Sequence, residues 1–382
     1  MTVILPGSII GFLGGGQLVR KAGMAARTMG YDVHVLDPEA HCPAGPLASQ
    51  VITAPWSDVD AVTRLSQNAD VVTSEIDQIS PAALQAAERY APLRPGSGVL
   101  WTVQDRARQK EWLRHHGFPL GPFRVVRSAD EIAAAVRDLG PCIVKSTTGG
   151  FDGRGQARAL SVDGAAAAWL SIGAPVCVAE QFLDLSAELS VMVARSPSGD
   201  MRAYPPSRNS HTQGVLAWSV IPGNFEDEVV LRATEVACGI AEQLGVVGLL
   251  AVELFLLEDG SFCVNELAPR PHNSYHHTER ACVTSQFEQL VRAVCGLPLG
   301  NTDIVQPTAI YILLGDLWGG VRPPDFPGVL ALPGIRIHLY GKREARPGRK
   351  MGHLSACGAN ADAALERVVD AYRRLSISTA GE

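Results

Sequence analysis

Two acidic residues carry the strongest chemical signal in the 382-residue chain. Asp259-Gly260 has the residue types of a two-residue hairpin turn, and it joins two strand-like runs, 250–257 and 261–267. Such a turn pairs Leu257 with Phe262, and continuing outward sets Glu253 directly opposite Glu266. Like charges facing each other across strands destabilise a sheet unless one is protonated or a cation lies between them. One or two carboxylates together with phosphate oxygens are a common Mg²⁺ site in phosphate chemistry. The competing reading is a carboxylate that splays into solvent.

Four other constellations carry chemistry. Gly14-Gly15-Gly16 lies between a short strand and a helix start, where free backbone N–H groups and the helix dipole converge on an anion. It does not match GxGxxG, although Asp37 follows at the distance of a ribose-binding acid; a dinucleotide site, another phosphate ligand and a plain tight turn all stay open. Lys145 precedes a run with four glycines in seven residues (149–155), which suits a flap whose amides close over phosphates, or an ordinary glycine-rich hairpin. Arg270, between Pro269 and Pro271, is the side chain for gripping a carboxylate or phosphoryl group in two places. His276-His277 nearby would point in different directions, which argues against a shared metal. The stretch 342–353 is rich in cations and holds two of the five lysines, Lys342 and Lys350; it reads as a phosphate anchor or as a solvated surface.

These residues need elements to hold them. Strand, turn and helix signals alternate over the first hundred residues: strands at 8–13, 32–36 and 70–73, helices at 17–29 and 81–90. Repeated βα units predict an open parallel sheet. A helix at 104–116, strands at 142–145, 176–180, 188–194 and 216–220, a long helix at 226–244 and the carboxylate hairpin predict an α+β region. A third segment ends in an amphipathic helix at 361–375. The expected units are 1–100, 101–298 and 299–382.

Composition narrows the classes further. With 46% hydrophobic and 19% charged residues and a net charge of −6, the chain is globular and has no global basic field for nucleic acid or anionic lipid. Eight scattered cysteines without zinc spacing read as reduced thiols, and no apolar run reaches membrane-spanning length. A cytoplasmic location is expected, with neither nucleic acid nor membrane as partner.

Taken together, the strings GGGQL, QDR, GGFDGRGQ, AELSV, VNELAPRPHNS, TSQFEQ, LLGDLW, HLYGK and GRKMGH, in this order, resemble the ATP-grasp enzymes, specifically the 5-(carboxyamino)imidazole ribonucleotide synthase family of purine biosynthesis. The resemblance runs from about residue 10 to 353. It implies an ATP-grasp architecture: an N-terminal Rossmann-like domain, a central ATP-grasp domain and a small C-terminal domain. It also implies ATP and Mg²⁺ as cofactors, 5-aminoimidazole ribonucleotide and bicarbonate as substrates, and a homodimer.

By the same resemblance, Arg106 and Lys145 contact ATP phosphates. Gly150, Phe151, Asp152, Gly153, Arg154, Gly155 and Gln156 form the flap over them. Glu180, Gln181, Phe182 and Leu183 line the adenine, Glu188 meets the ribose, and His211, Asn265 and Glu266 lie at the nucleotide. Glu253 and Glu266 hold Mg²⁺, in agreement with the hairpin. Gln17, Leu18, Glu75, Asp152, Arg270, Lys342 and Arg349 surround the ribonucleotide and bicarbonate, with Asp152 orienting or deprotonating the amine. The chain departs from the family pattern at Phe151 (usually Tyr), at Ser74-Glu75-Ile76-Asp77 (usually Tyr-Glu-Phe-Glu), at Tyr275 (usually Gly) and at Arg208 (usually an acid). A carboxylate–amine ligase with a different acceptor is the alternative.

Overall fold

The computed structural model describes residues 3–150, 153–320 and 323–380. At the N-terminus, four short apolar strands, β1 (Ile9–Leu13), β2 (Asp32–Asp37), β3 (Gln50–Thr53) and β4 (Val71–Ser74), form a parallel sheet in the order β3-β2-β1-β4. Helices α1 (Gln17–Thr28), α2 (Val59–Gln67) and α3 (Pro81–Glu88) cover it. Strand order reverses between β1 and β4, so the crevice at their carboxyl ends is where an open α/β sheet binds ligands. The glycine turn opens into that crevice.

Helices α4 (Ser97–Val103) and α5 (Arg106–His115) lead into the central region. The helix expected at 104–116 is α5, and α4 precedes it as an element the sequence pattern did not mark. Asp105 caps α5 by accepting from Arg108 N at 2.9 Å, which puts Arg106 at the first helical position. Strands β5 (Phe123–Val126), β6 (Cys142–Ser146), β7 (Gln156–Ala159) and β8 (Cys177–Gln181) form an antiparallel sheet ordered β5-β8-β6-β7. Helices α6 (Ala129–Leu139) and α7 (Ala165–Ile172) bury their apolar faces against it around Ile132, Val144 and Ala168.

The largest sheet takes in β9 (Leu185–Arg195), β10 (Met201–Ala203), β11 (Ser207–Thr212), β12 (Val215–Ile221), β13 (Gly248–Leu257), β14 (Phe262–Ala268), β15 (Thr308–Leu314), β16 (Ile335–Leu339) and β17 (Lys350–Cys357). Its C-terminal strands join the central ones directly, through antiparallel β12–β15 pairs such as Trp218 with Tyr311. Alternate residues of β13, Leu250, Val252 and Leu254, pack against Ala237 and Ile240 of α8 (Asp227–Gln243). Short α9 (Thr278–Ala281) and α10 (Gln286–Cys295) follow, and α11 (Phe326–Leu330) and α12 (Ala361–Ala380) back the C-terminal strands. One core runs from Ile10 and Leu18 of the N-terminal unit to Tyr275, Phe287 and Leu290 of the central one. Lys21 on α1 ties the three segments, with Nζ 2.5 Å from Glu279 Oε2 and 3.1 Å from His338 Nδ1.

The hairpin holds the expected opposition by a different route. Leu256 faces Phe262 and Leu254 faces Val264, so the connection is one residue longer than a two-residue turn, and Gly260 takes φ +80° within it. A β-bulge then inserts Asn265, and Glu253 ends opposite Glu266. The bulge has a use. Val264 and Leu267 both enter the core behind the sheet, so Asn265 and Glu266 between them both face the front.

Three departures turn out to be internal or peripheral. Tyr275 is fully buried, its hydroxyl 2.7 Å from Ser190 O and 3.0 Å from Pro205 O, its ring edge-on to Tyr204. Ser74 turns its hydroxyl onto the Ile76 carbonyl at 2.8 Å, and Arg208 pairs with Asp362 at 3.1 Å. Replacing Tyr275 with Phe removes both hydrogen bonds while keeping the ring. Stability should fall by about 1 kcal/mol in denaturant unfolding, and an unchanged midpoint would contradict this packing role.

Candidate functional site

The site is organised by Glu180 at the end of β8, a buried carboxylate ringed by cations from two elements. Arg106 Nε lies 2.5 Å from Glu180 Oε1, and Lys145 Nζ and Lys110 Nζ lie 3.3 and 3.4 Å from Oε2. Burial alone would raise the Glu180 pKa, but Arg106, Lys145 and Lys110 hold it well below the usual carboxylate range. Burial pushes Lys110 down to about 8 despite its carboxylate partner, and it lowers Lys145 too, with Arg106 adding repulsion. Lys110 went unassigned in the sequence. Its signal was position: one helical turn after Arg106, on the same face of α5.

Beside this cluster is a cavity of about 120 Å³ with mostly apolar walls, including Pro122, Ile143, Phe182, Leu183 and Phe255, and with Gln181 at its edge. Apolar walls that also include the two cations Lys110 and Lys145 suit an aromatic base with a phosphate tail. The flap is the loop of the β6–β7 hairpin, closed by Ser146 N to Gly155 O at 2.8 Å and tied to α5 by Arg106 N to Thr147 O at 2.7 Å. Gly150, Gly153, Arg154 and Gly155 lie there, and Gln156 opens β7 opposite Lys145. Gly153, at φ +77°, packs its backbone on Gln213 and Gly214 of the β11–β12 turn, where a side chain has no room. Phe151 and Asp152 lie outside the described residues.

The bulge brings the Glu253–Glu266 pair into the same site. Arg106 reaches Asn265 Oδ1 at 3.0 Å and Glu266 Oε2 at 3.4 Å, while Asn265 Nδ2 donates to Glu253 Oε2 at 3.2 Å. Glu253, Glu266 and His272 bring their ligand atoms within 4.8 Å of one another. Burial and the facing Glu266 push Glu253 up to about 7. A carboxylate that holds its proton for want of a counter-charge fits a divalent cation. His276 and His277 take no part: they meet Asn273 and Ser219, at 3.1 and 3.3 Å, and burial lowers the pKa of both. His211 bonds Glu188 through Nδ1; burial opposes its charge, but the Glu188 bond and the Glu253 field outweigh that and raise its pKa.

At the N-terminal turn, the chain fills much of its own anion site. Asp37 accepts from Gly15 N at 2.8 Å, and Glu75 accepts from Gly16 N and from Val19 N, the latter at 2.9 Å. That occupies the amides a dinucleotide pyrophosphate would need and makes Asp37 a turn cap. Glu75 is thus a buried support of the turn that presents Gln17 and Leu18. Arg349 lies 3.7 Å from Glu39, so the β16–β17 loop, which also carries Lys342, approaches the N-terminal crevice. Lys350 is a buried group whose charge is felt by both His272 and His211.

Comparison with known proteins gives the family. Three family models match in order: a ribonucleotide synthetase preATP-grasp domain over residues 8–104, an ATP-grasp domain over 111–287, and a phosphoribosylaminoimidazole carboxylase C-terminal domain over 308–367. The N5-carboxyaminoimidazole ribonucleotide synthase of Bacillus subtilis is 40% identical over 357 residues, covering 92% of each chain. The chain belongs to the N5-carboxyaminoimidazole ribonucleotide synthase family. It is an ATP-grasp ligase. The Staphylococcus aureus synthetase, solved with ADP, superposes with a TM-score of 0.91 at 31% identity, covering 98% of this chain and 99% of that one. The Aspergillus clavatus synthase, solved with ADP and 5-aminoimidazole ribonucleotide, gives 0.89 at 29% identity over 97% and 99%.

The raised pKa of Glu253 makes stability depend on pH. Its folded value, about 7, lies above the ordinary 4.5, so the folded chain binds the proton more tightly than the unfolded one. Without divalent cations, this contribution is fully present below about 4.5 and is lost as pH rises through about 7. Glu253→Gln should flatten that part of the profile of melting temperature against pH in chelator. An unchanged slope would show that Glu253 does not carry the proton.

Proposed function

We propose that this chain carries out the family reaction: ATP-dependent N-carboxylation of 5-aminoimidazole ribonucleotide in purine biosynthesis, with bicarbonate as the carbon source and Mg²⁺ as the metal. The observation that carries this reading is the joining of the Glu180 cation cluster to the Glu253–Glu266 pair through Arg106, next to an apolar cavity and beneath a glycine flap. Support for the cytoplasm comes from eight cysteines that are all unpaired, the state a reducing compartment maintains. No helix among the described residues is long and apolar enough to cross a membrane. We also propose the units 1–100, 101–298 and 299–382, and a homodimer as the assembly, on the family resemblance.

In this reading, Arg106 and Lys145 exchange Glu180 for ATP phosphates, and Lys110 stays behind to hold the buried carboxylate. Glu253 and Glu266 would hold Mg²⁺, which supplies charge neutralisation on the phosphates. A bicarbonate oxygen attacks the γ-phosphorus and the bond to the ADP oxygen breaks, giving carboxyphosphate and ADP; Arg270 stabilises charge on the transferring group. The exocyclic amine of the ribonucleotide then attacks the carboxyl carbon, phosphate leaves, and Asp152 is the proposed acceptor of the amine proton. Carboxyphosphate hydrolyses in water, so the flap must exclude solvent during transfer. Lys342, Arg349 and the Gln17–Leu18 amides form the proposed cradle for the ribonucleotide phosphate. The alternative, a ligase for another acceptor, loses ground because Ser74, Tyr275 and Arg208 direct their polar groups to backbone or surface partners.

Two experiments test this. With ATP and Mg²⁺, ADP release should require bicarbonate and rise when 5-aminoimidazole ribonucleotide is added. Indifference to both, with stimulation by an organic acid and an amine, would favour the other ligase. Replacing Lys342 with Ala should raise KM for the ribonucleotide roughly ten- to a hundredfold and leave KM for ATP unchanged. Equal weakening of both would place Lys342 outside the cradle.

A further inference from the structure

We propose that Asp77 is a positioning residue for Arg270, reaching across from the N-terminal unit to fix the guanidinium that stabilises charge on the transferring phosphoryl group. The proposal rests on the reading of Arg270 given above. A guanidinium has two donor edges. Asp77 takes one of them: Arg270 Nε lies 3.2 Å from each carboxylate oxygen, and Nη2 lies 3.0 Å from Oδ2. The remaining terminal nitrogen, Nη1, meets the carbonyl of the next residue, Pro271, at a long 3.4 Å.

The clamp has the geometry of a support. It is bidentate, the arrangement in which an arginine is held in angle as well as in place. It works on a buried guanidinium: burial opposes the charge, and Asp77 outweighs that and raises the Arg270 pKa. Glu266 and Glu75 add to the same field, so Arg270 stands between the metal pair and the N-terminal turn. Asp77 follows β4 by three residues, in the segment whose Glu75 supports the glycine turn. A single loop thus holds both the turn that presents Gln17 and Leu18 and the arginine on the other side of the crevice. The two residues are 193 positions apart. Without Asp77, Arg270 has two carboxylates to swing toward, and Glu266 is one of them. That move would disorder the transferring group and burden the metal pair together.

The test is a double-mutant cycle on the full-length enzyme, measuring ADP release and carboxylated product separately. Asp77→Asn keeps the shape and removes the charge. It should lower kcat/KM for bicarbonate by roughly tenfold or more, lower the product formed per ADP released, and leave KM for ATP within about twofold. Asp77→Glu should recover most of the loss, because a second carboxylate can engage the same edge. In an Arg270→Lys background, where no bidentate edge exists, Asp77→Asn should cost little more. Equal losses in both backgrounds, or equal changes for ATP and bicarbonate, would overturn the positioning role in favour of a plain tie between units. A wild-type-like Asp77→Asn enzyme would overturn it too. Absence of bicarbonate-stimulated ADP release in the wild type is a different failure: it removes the functional reading and takes this proposal with it.

Discussion

The site depends on one buried carboxylate. Glu180 holds Arg106 and Lys110 from α5 and Lys145 from β6 on two oxygen atoms. A buried ion cluster of this kind is a weak source of stability, because desolvation offsets most of the attraction. Its consequence is positional. Three cations that would otherwise repel one another are kept together at the mouth of an apolar cavity, where phosphates can take over two of them. Remove the carboxylate and the cations have no reason to converge.

Everything around that carboxylate serves to bring three chain segments to it. Helix α5 is anchored to β14 by Leu267 N on Gln109 Oε1 at 3.1 Å, which places Arg106 over the bulge at Asn265. The bulge turns two successive side chains to the front, and a regular strand could show only one. Asn265 and Glu266 therefore meet Arg106 from adjacent positions, and Asn265 meets Glu253 as well. The β15–β17 strands extend the same sheet, so Lys350 enters from the C-terminal segment on a rigid element.

What was legible in the sequence was local. Alternation located β13 and β14, and the pairing arithmetic put Glu253 opposite Glu266. That arithmetic succeeded because two deviations cancelled: a longer turn shifted the register by one and the bulge shifted it back. Neither deviation has a strong sequence mark. Lys110 was legible in principle, by helical spacing from Arg106, but a polar helix offers many such pairs. The Asp77–Arg270 clamp and the capping of the glycine turn by Glu75 were not legible, since each joins residues far apart in the chain through a crevice only the fold creates. His272 was hidden by its neighbour. The proline-flanked motif drew attention to Arg270, and the position of His272 beside Glu253, at 3.5 Å, depends on how that loop folds back.

The charges also imply an order of events. Before any ligand arrives, the cations are occupied by Glu180 and the carboxylates are short of a counter-charge, so Glu253 keeps a proton near neutrality. A bare nucleotide would bring a polyanion against Glu253 and Glu266 and would have to strip Arg106 from two acidic partners. For a nucleotide arriving with a divalent cation the first obstacle would be smaller, because Glu253 and Glu266 would hold that cation, and its phosphates would then compete with Glu180 for Arg106 and Lys145. Lys110, left with Glu180, would keep the vacated carboxylate from standing buried and unpaired. The proton on Glu253 and the third cation on Glu180 thus do the same thing, each offsetting a buried carboxylate that would otherwise lack a counter-charge.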